Sequence, residues 1–172
     1  MANLAKIPLG KNAPKEVYCV METTKGSKMK YEYDEGIEAM KFKRCIEYKN
    51  GYPADYGFVT STLAEDGDPL DIMIISEMPL QQGCVIEARP IGFLEMEDQN
   101  GIDRKIIAVP VKDHRYDGVK DISDVSKEYL DEIVDFFTNY KKADPARWSK
   151  VQGWKGAKDA FFEVEKCAKR AT

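Results

Sequence analysis

The sequence has a single histidine, His114, and only four cysteines in 172 residues. Cys19, Cys45, Cys84 and Cys167 are widely scattered and form no Cys-x-x-Cys pair, so neither a zinc site nor a disulfide framework finds support. The thiols are expected to be mostly buried. Any Ser-His-Asp or Cys-His mechanism would rest on His114 alone, which lies in the polar segment Lys112 to Asp117 without a Gly-x-Ser-x-Gly motif to accompany it. A surface-loop position is the plainer expectation for that imidazole. The chain also lacks a signal-peptide pattern and any apolar run approaching membrane-spanning length, which predicts a soluble, cytoplasmic protein with no membrane partner. A net charge of −4 argues against broad nucleic-acid binding. Chemistry is left to carboxylates, lysines, tyrosines and metals.

What the chain does have is acid concentrated at a turn. Residues 65–76 read Glu-Asp-Gly-Asp-Pro-Leu-Asp-Ile-Met-Ile-Ile-Ser, so that Asp66, Asp68 and Asp71 fall within six positions. Gly67 and Pro69 force a turn, and Leu70 to Ile75 reads as a short buried strand. Three carboxylates this close repel one another unless positive charge lies between them, which points to hard cations such as Mg²⁺ held by oxygen ligands. An acidic turn on its own is commonly a solvated loop. A calcium EF-hand also begins Asp-x-Asp, but Leu70 and Asp71 stand where that loop needs an oxygen ligand and a glycine.

The rest of the chain reads as one domain over residues 1–172, long enough to bury a substantial core. The first sixteen residues form an irregular arm. Strands are predicted from Val17 to Glu22, from Lys28 to Tyr33, and from Ala39 to Arg44 with Met40, Phe42 and Arg44 on one side. Tyr52 to Phe58 is an aromatic-rich loop stiffened by Pro53. A long extended run from Val85 to Met96 carries Pro90, the mark of a bulge or edge. Asn100-Gly101 is a strong hairpin signal that puts Asp98 and Asp103 on opposite arms of one turn, leading into a strand from Ile106 to Val111. Ser126 is placed to cap a helix whose apolar residues Leu130, Ile133, Val134, Phe137 and Tyr140 recur at helical spacing, with Asp144-Pro145 as its stop. Trp148 to Gly156 reads as a break and Ala157 to Ala168 as a last helix. Many short strands followed by two helices predict an α+β fold built on a small, mostly antiparallel barrel.

Five aspartates in two loops, Glu22 and Glu32 on early strands, and the cations and phenols Lys30, Arg44, Lys105, Tyr52, Tyr56, Tyr140 and Lys141 make up the polar candidates. Acids to hold divalent cations beside bases to hold phosphate oxygens are what metal-assisted phosphoryl transfer to water requires. With these residues in view, the chain resembles the soluble, cytoplasmic, magnesium-dependent inorganic pyrophosphatases, whose Asp-x-Asp-Pro-x-Asp signature stands here as Asp66 to Asp71. The likeness runs through Val17-Tyr18, Lys30-Tyr-Glu32, Arg44, Tyr52 to Gly57, Asp98 to Lys105, Tyr140-Lys141 and Trp148 to Trp154.

The resemblance implies a five-stranded OB-like barrel with flanking C-terminal helices, a homohexamer, pyrophosphate as substrate, and several Mg²⁺ ions per site, with Mn²⁺ or other divalent cations as substitutes. It implies that Asp66, Asp71 and Asp103 bind a first metal, that Asp71 reaches a second, that Asp98 and Asp103 serve one arriving with substrate, and that Glu32 serves another, with Glu22 in support. Asp68 corresponds to the general base. Lys30, Arg44, Tyr56, Tyr140 and Lys141 correspond to the groups that grip phosphate, with Tyr52 and Lys105 nearby. One departure is Gln99, where many members carry a second acid after the aspartate. Two other readings compete: a magnesium-dependent nucleotide phosphatase, and an OB-type single-stranded nucleic-acid module using Tyr31, Tyr33, Tyr52 and Tyr56 as stacking platforms.

Overall fold

The computed structural model of the chain describes residues 3–142 and 144–172. Eight strands and two longer helices follow in the order β1 (Val17–Thr23), β2 (Met29–Asp34), β3 (Ala39–Cys45), β4 (Asp55–Val59), β5 (Asp71–Ile74), β6 (Val85–Asp98), β7 (Gly101–Pro110), α1 (Lys127–Asn139), β8 (Ser149–Gly156) and α2 (Ala157–Ala171). Strands β1, β4, β5, β7 and β6 pair in that order, and β6 returns to pair with β1, so the five close into a ring. Every pairing of the ring is antiparallel except β5 with β7. This is the OB-like, mostly antiparallel barrel with C-terminal helices that the sequence led us to expect.

Two apolar clusters explain why β5 and β7 are near-continuous apolar runs rather than alternating ones. Ile72, Ile74, Ile106 and Ala108 join β1 residues Val17, Cys19 and Met21 and, from α2, Ala160, Val164 and Cys167. Their neighbours Met73, Ile107 and Val109 face the other way, onto Ile133, Phe136 and Phe137 of α1. A strand covered on both faces has no need of a polar side. Where β4 crosses β1 the backbones are so close that a Cβ on residue 57 would lie 1.8 Å from the carbonyl oxygen of Val20, so Gly57 is required there. Buried Asp55 fastens two loops to this crossing, accepting hydrogen bonds from the backbone N–H of Lys25 (2.9 Å) and Leu80 (3.1 Å) and from the Ser76 hydroxyl (3.0 Å).

Several expectations hold in detail and three need correction. Ser126 caps α1, its hydroxyl accepting from the Tyr129 N–H at 3.3 Å; Pro90 sits at a register shift of β6; His114 is exposed. The aromatic loop, however, contains β4, and the break after α1 contains β8, which adds to the outer edge of β6. An edge strand needs only one apolar side: Val151 and Trp154 pack on the α1 cluster while Lys150, Gln152 and Lys155 face solvent, a pattern too weak to read as strand. The third correction concerns β3. Lys30 pairs with Arg44 but Tyr31 with Phe42, leaving Lys43 as an extra residue at a bulge. Beyond it the alternation breaks, so Phe42 packs edge-on to Tyr31 while Arg44 turns to a cleft. No helix among the described residues is long and apolar enough to cross a membrane.

Candidate active site

One cleft of about 420 Å³ opens between the barrel, the β2–β3 hairpin and the C-terminal end of α1. Every residue of the set matched to the pyrophosphatase pattern lines it: Asp66, Asp68 and Asp71 from the β4–β5 loop and the start of β5, Asp98 from the end of β6, Asp103 and Lys105 from β7, Glu22 from β1, Lys30 and Glu32 from β2, Arg44 from β3, Tyr52 and Tyr56 around β4, and Tyr140 and Lys141 after α1. Periodicity puts them there. Lys30 and Glu32, like Asp103 and Lys105, are two residues apart on a strand and so share a face. The parallel register Ile72↔Ile106 sets Asp71 beside Lys105, and the hairpin pairs Met96 with Asp103, bringing both acidic loops to one place.

The first acidic loop is held by local bonds. Gly67 adopts φ +92°, a left-handed conformation suited to glycine, and Asp66 accepts the Asp68 N–H at 3.1 Å. The Leu70 N–H donates to the Thr62 hydroxyl at 3.0 Å, anchoring the turn where β5 begins. Behind the cleft an aromatic stack fixes the phenols. Tyr52 packs on Phe136 with ring centroids 4.7 Å apart, Phe136 on Tyr140 at 5.0 Å, and Phe137 on Tyr140 at 5.6 Å. Burial raises the Tyr52 and Tyr56 hydroxyls well above the usual range, so both remain protonated and able to donate.

Charge in the cleft is arranged in pairs. The buried Lys105 ammonium bridges Asp71 and Asp103, the latter at 2.8 Å, and lies 5.7 Å from the centre of the Tyr56 ring. Burial opposes its charge, but the two carboxylates outweigh that and keep it protonated. Lys141 holds Asp98 at 2.7 Å, and the Asn100 N–H donates to the other oxygen at 2.8 Å. Although burial works against ionisation there, these contacts hold the Asp98 carboxyl below its ordinary value. Asp66 and Asp68 are pushed up, first by burial and then by neighbouring carboxylates, Asp71 above all. Asp103 is raised by burial and by Asp71 as well. Burial pushes Glu22 up to about 8 even though it accepts the Tyr33 N–H at 2.6 Å.

The sequence profile described as inorganic pyrophosphatase matches residues 19–172. The chain belongs to the inorganic pyrophosphatase family. It is 46% identical over 172 residues to the inorganic pyrophosphatase of Thermus thermophilus, covering 99% of this chain and 98% of that one. The corresponding protein of Aquifex pyrophilus is 41% identical over 162 residues, 93% and 92% of the two chains. The crystal structure of the Thermus thermophilus inorganic pyrophosphatase superposes with a TM-score of 0.96, covering 99% of each chain. The solved structure of the Helicobacter pylori inorganic pyrophosphatase superposes with a TM-score of 0.92 at 40% identity, covering 96% of this chain and 98% of the other. The chain is accordingly an enzyme, a hydrolase.

For an inorganic pyrophosphatase the cleft has a suitable donor set. Its lining offers carboxylate oxygens and, among the described residues, neither imidazole nor thiol, the chemistry that suits a hard divalent cation. Among the described residues Lys105 lies between Asp71 and Asp103, and Lys141 pairs with Asp98. Sequence reasoning missed Lys43, Glu35 and Arg147, which also line the cleft. Lys43 and Arg44 are adjacent yet both reach the cleft, which strict alternation forbids and the bulge allows. Gln99 lies at the rim, its carbonyl 3.5 Å from the Trp148 N–H that donates to it. The nucleic-acid reading loses three of its four platforms, since Tyr52 and Tyr56 are 2% and 5% exposed and Tyr33 stacks on Phe58.

Proposed function

We propose that this chain, a single catalytic domain over residues 1–172, hydrolyses inorganic pyrophosphate to two orthophosphates with Mg²⁺ as its working cation. The observation that carries the reading is the convergence of two acidic loops and a set of phosphate-holding cations on one cleft of a family member. Pyrophosphate is a polyanion that these carboxylates would repel, so the reaction needs divalent cations between them. Asp66, Asp71, Asp98, Asp103 and Glu32 would hold such cations, which would supply charge neutralisation and a lowered pKa for bound water.

The chain's own groups do the rest. Asp68 lies on the cleft wall and, among the described residues, carries no salt bridge, whereas Asp71, Asp98, Asp103 and Glu32 are each held by lysine. Asp66 shares that freedom, and it is the family resemblance that assigns Asp68 to accept the proton of the attacking water as the oxygen closes on phosphorus and the bridging P–O bond breaks. Lys30, Arg44, Lys141, Tyr56 and Tyr140 hold the phosphate oxygens, with fixed charge where it grows on the departing group. Lys105 sets Asp71 and Asp103 at their spacing, Glu22 braces the hairpin through Tyr33, and Tyr52 seats Tyr56. We further propose a cytoplasmic homohexamer. Phosphate release from pyrophosphate and from ATP, each with Mg²⁺ and with excess chelator, tests the reading. Mg²⁺-dependent release from pyrophosphate is expected, and a preference for ATP would transfer the chain to the nucleotide phosphatases.

A further inference from the structure

The β2–β3 bulge puts two cations on one carboxylate. Lys30 Nζ lies 2.6 Å from Glu32 Oε1 and Lys43 Nζ lies 2.7 Å from Glu32 Oε2, so each oxygen is taken by a different ammonium. Elsewhere in the cleft the balance runs the other way, with Lys105 shared by two aspartates. At Glu32 one positive charge is left over. A divalent cation approaching that carboxylate must displace an ammonium from it and meets net repulsion, while a polyanion meets attraction. The two lysines are not equivalent. The Lys30 side chain is 16% exposed, whereas that of Lys43 is 53% exposed on a flexible four-carbon stem, able to leave Glu32 without repacking. Asp68, whose field also reaches Lys43, lines the same cleft.

Resting on the pyrophosphatase reading, we propose that Lys43 is a built-in cation of the substrate cleft: it occupies Glu32 in place of a divalent ion and turns to the pyrophosphate when substrate enters. The consequence is a site that binds less Mg²⁺ at Glu32 in the absence of substrate and holds pyrophosphate at lower Mg²⁺ than its acid count alone would allow.

Calorimetric titration of the substrate-free protein with Mg²⁺ tests this independently of turnover. Lys43→Met keeps the length of the side chain and removes its charge. It should bind Mg²⁺ about three- to tenfold more tightly, the size expected for a partly exposed charge acting on a divalent ion, or take up an additional ion. Lys43→Arg should match the parent. In the Glu32→Gln background, Lys43→Met should bring no gain. With substrate at limiting Mg²⁺, Lys43→Met should raise the half-saturating pyrophosphate concentration. An unchanged isotherm for Lys43→Met, or a gain that persists without Glu32, would overturn the proposal whether or not pyrophosphate proves to be the substrate. Failure of the parent to hydrolyse pyrophosphate would instead count against the reading beneath it.

Discussion

At the scale of single residues, identical side chains acquire different roles from what surrounds them. Asp71 is tied to buried Lys105 at the root of β5, while Asp68 stands three positions earlier on the loop without an ammonium partner among the described residues. Asp71→Asn should therefore weaken metal binding, and added Mg²⁺ should recover part of its activity; a calorimetric Mg²⁺ affinity equal to the parent's would refute that. Glu22 offers a test through pH. Its carboxyl is pushed up by burial from 4.5 to about 8, so the folded state holds a proton that the unfolded state releases. Folding stability should then fall as pH rises from about 4.5 to about 8 and level off beyond it. In metal-free protein Glu22→Gln should remove that slope. Since about 1 kcal/mol moves Tm by roughly 2–4 °C in a chain of this size, the variant should melt several degrees above the parent at pH 8 and draw level near pH 5. A Tm difference independent of pH would show that Glu22 does not titrate in this range.

At the scale of elements, α1 is the wall on which the phenols of Tyr56 and Tyr140, proposed above to hold phosphate, are seated. Phe137 is 1% exposed and packs against both Tyr56 and Tyr140. Phe137→Ala should cost about 3–5 kcal/mol by the cavity it leaves, and in the protein that still folds it should raise KM more than it lowers kcat, measured by steady-state phosphate release. A fall in kcat alone would place the aromatic stack in a different role. The elements also show where sequence was legible. Asn100-Gly101 announces its hairpin because a tight turn has few solutions, and Ser126 announces α1 because an orphan N–H needs a nearby oxygen. Strand β8 escapes because an edge strand with one wet side is satisfied by a polar, glycine-containing pattern. Lys43 escapes because a bulge is a relation between two strands, and neither strand's own sequence contains it. The acidic loops were legible through their company: an acidic turn alone reads as a solvated loop, and only the second acidic hairpin and the phosphate-holding bases elsewhere in the chain give the adjacent carboxylates a purpose.

At the scale of the whole molecule, the closed barrel presents both acidic loops and the β2–β3 hairpin to one opening, so metal, substrate and stability are coupled. Mg²⁺ bound only by the folded state at a hundred times its Kd should add about 2.7 kcal/mol, and hence raise Tm by roughly 5–10 °C; equal melting curves with Mg²⁺ and with chelator would remove the metal from the cleft. Sedimentation should find a closed assembly of six copies, and a stable monomer at micromolar concentration would dismiss the hexamer alone. The most direct measurement is the initial rate of orthophosphate release from pyrophosphate by the parent and by Asp68→Asn, each titrated with Mg²⁺. The expected result is two orthophosphates per pyrophosphate, a parent rate abolished by excess chelator, and an Asp68→Asn rate lower by roughly 10²- to 10⁴-fold that no concentration of Mg²⁺ restores. Parent activity undiminished in chelator, or an Asp68→Asn rate that Mg²⁺ brings back to the parent's, would contradict a carboxylate base working beside divalent cations.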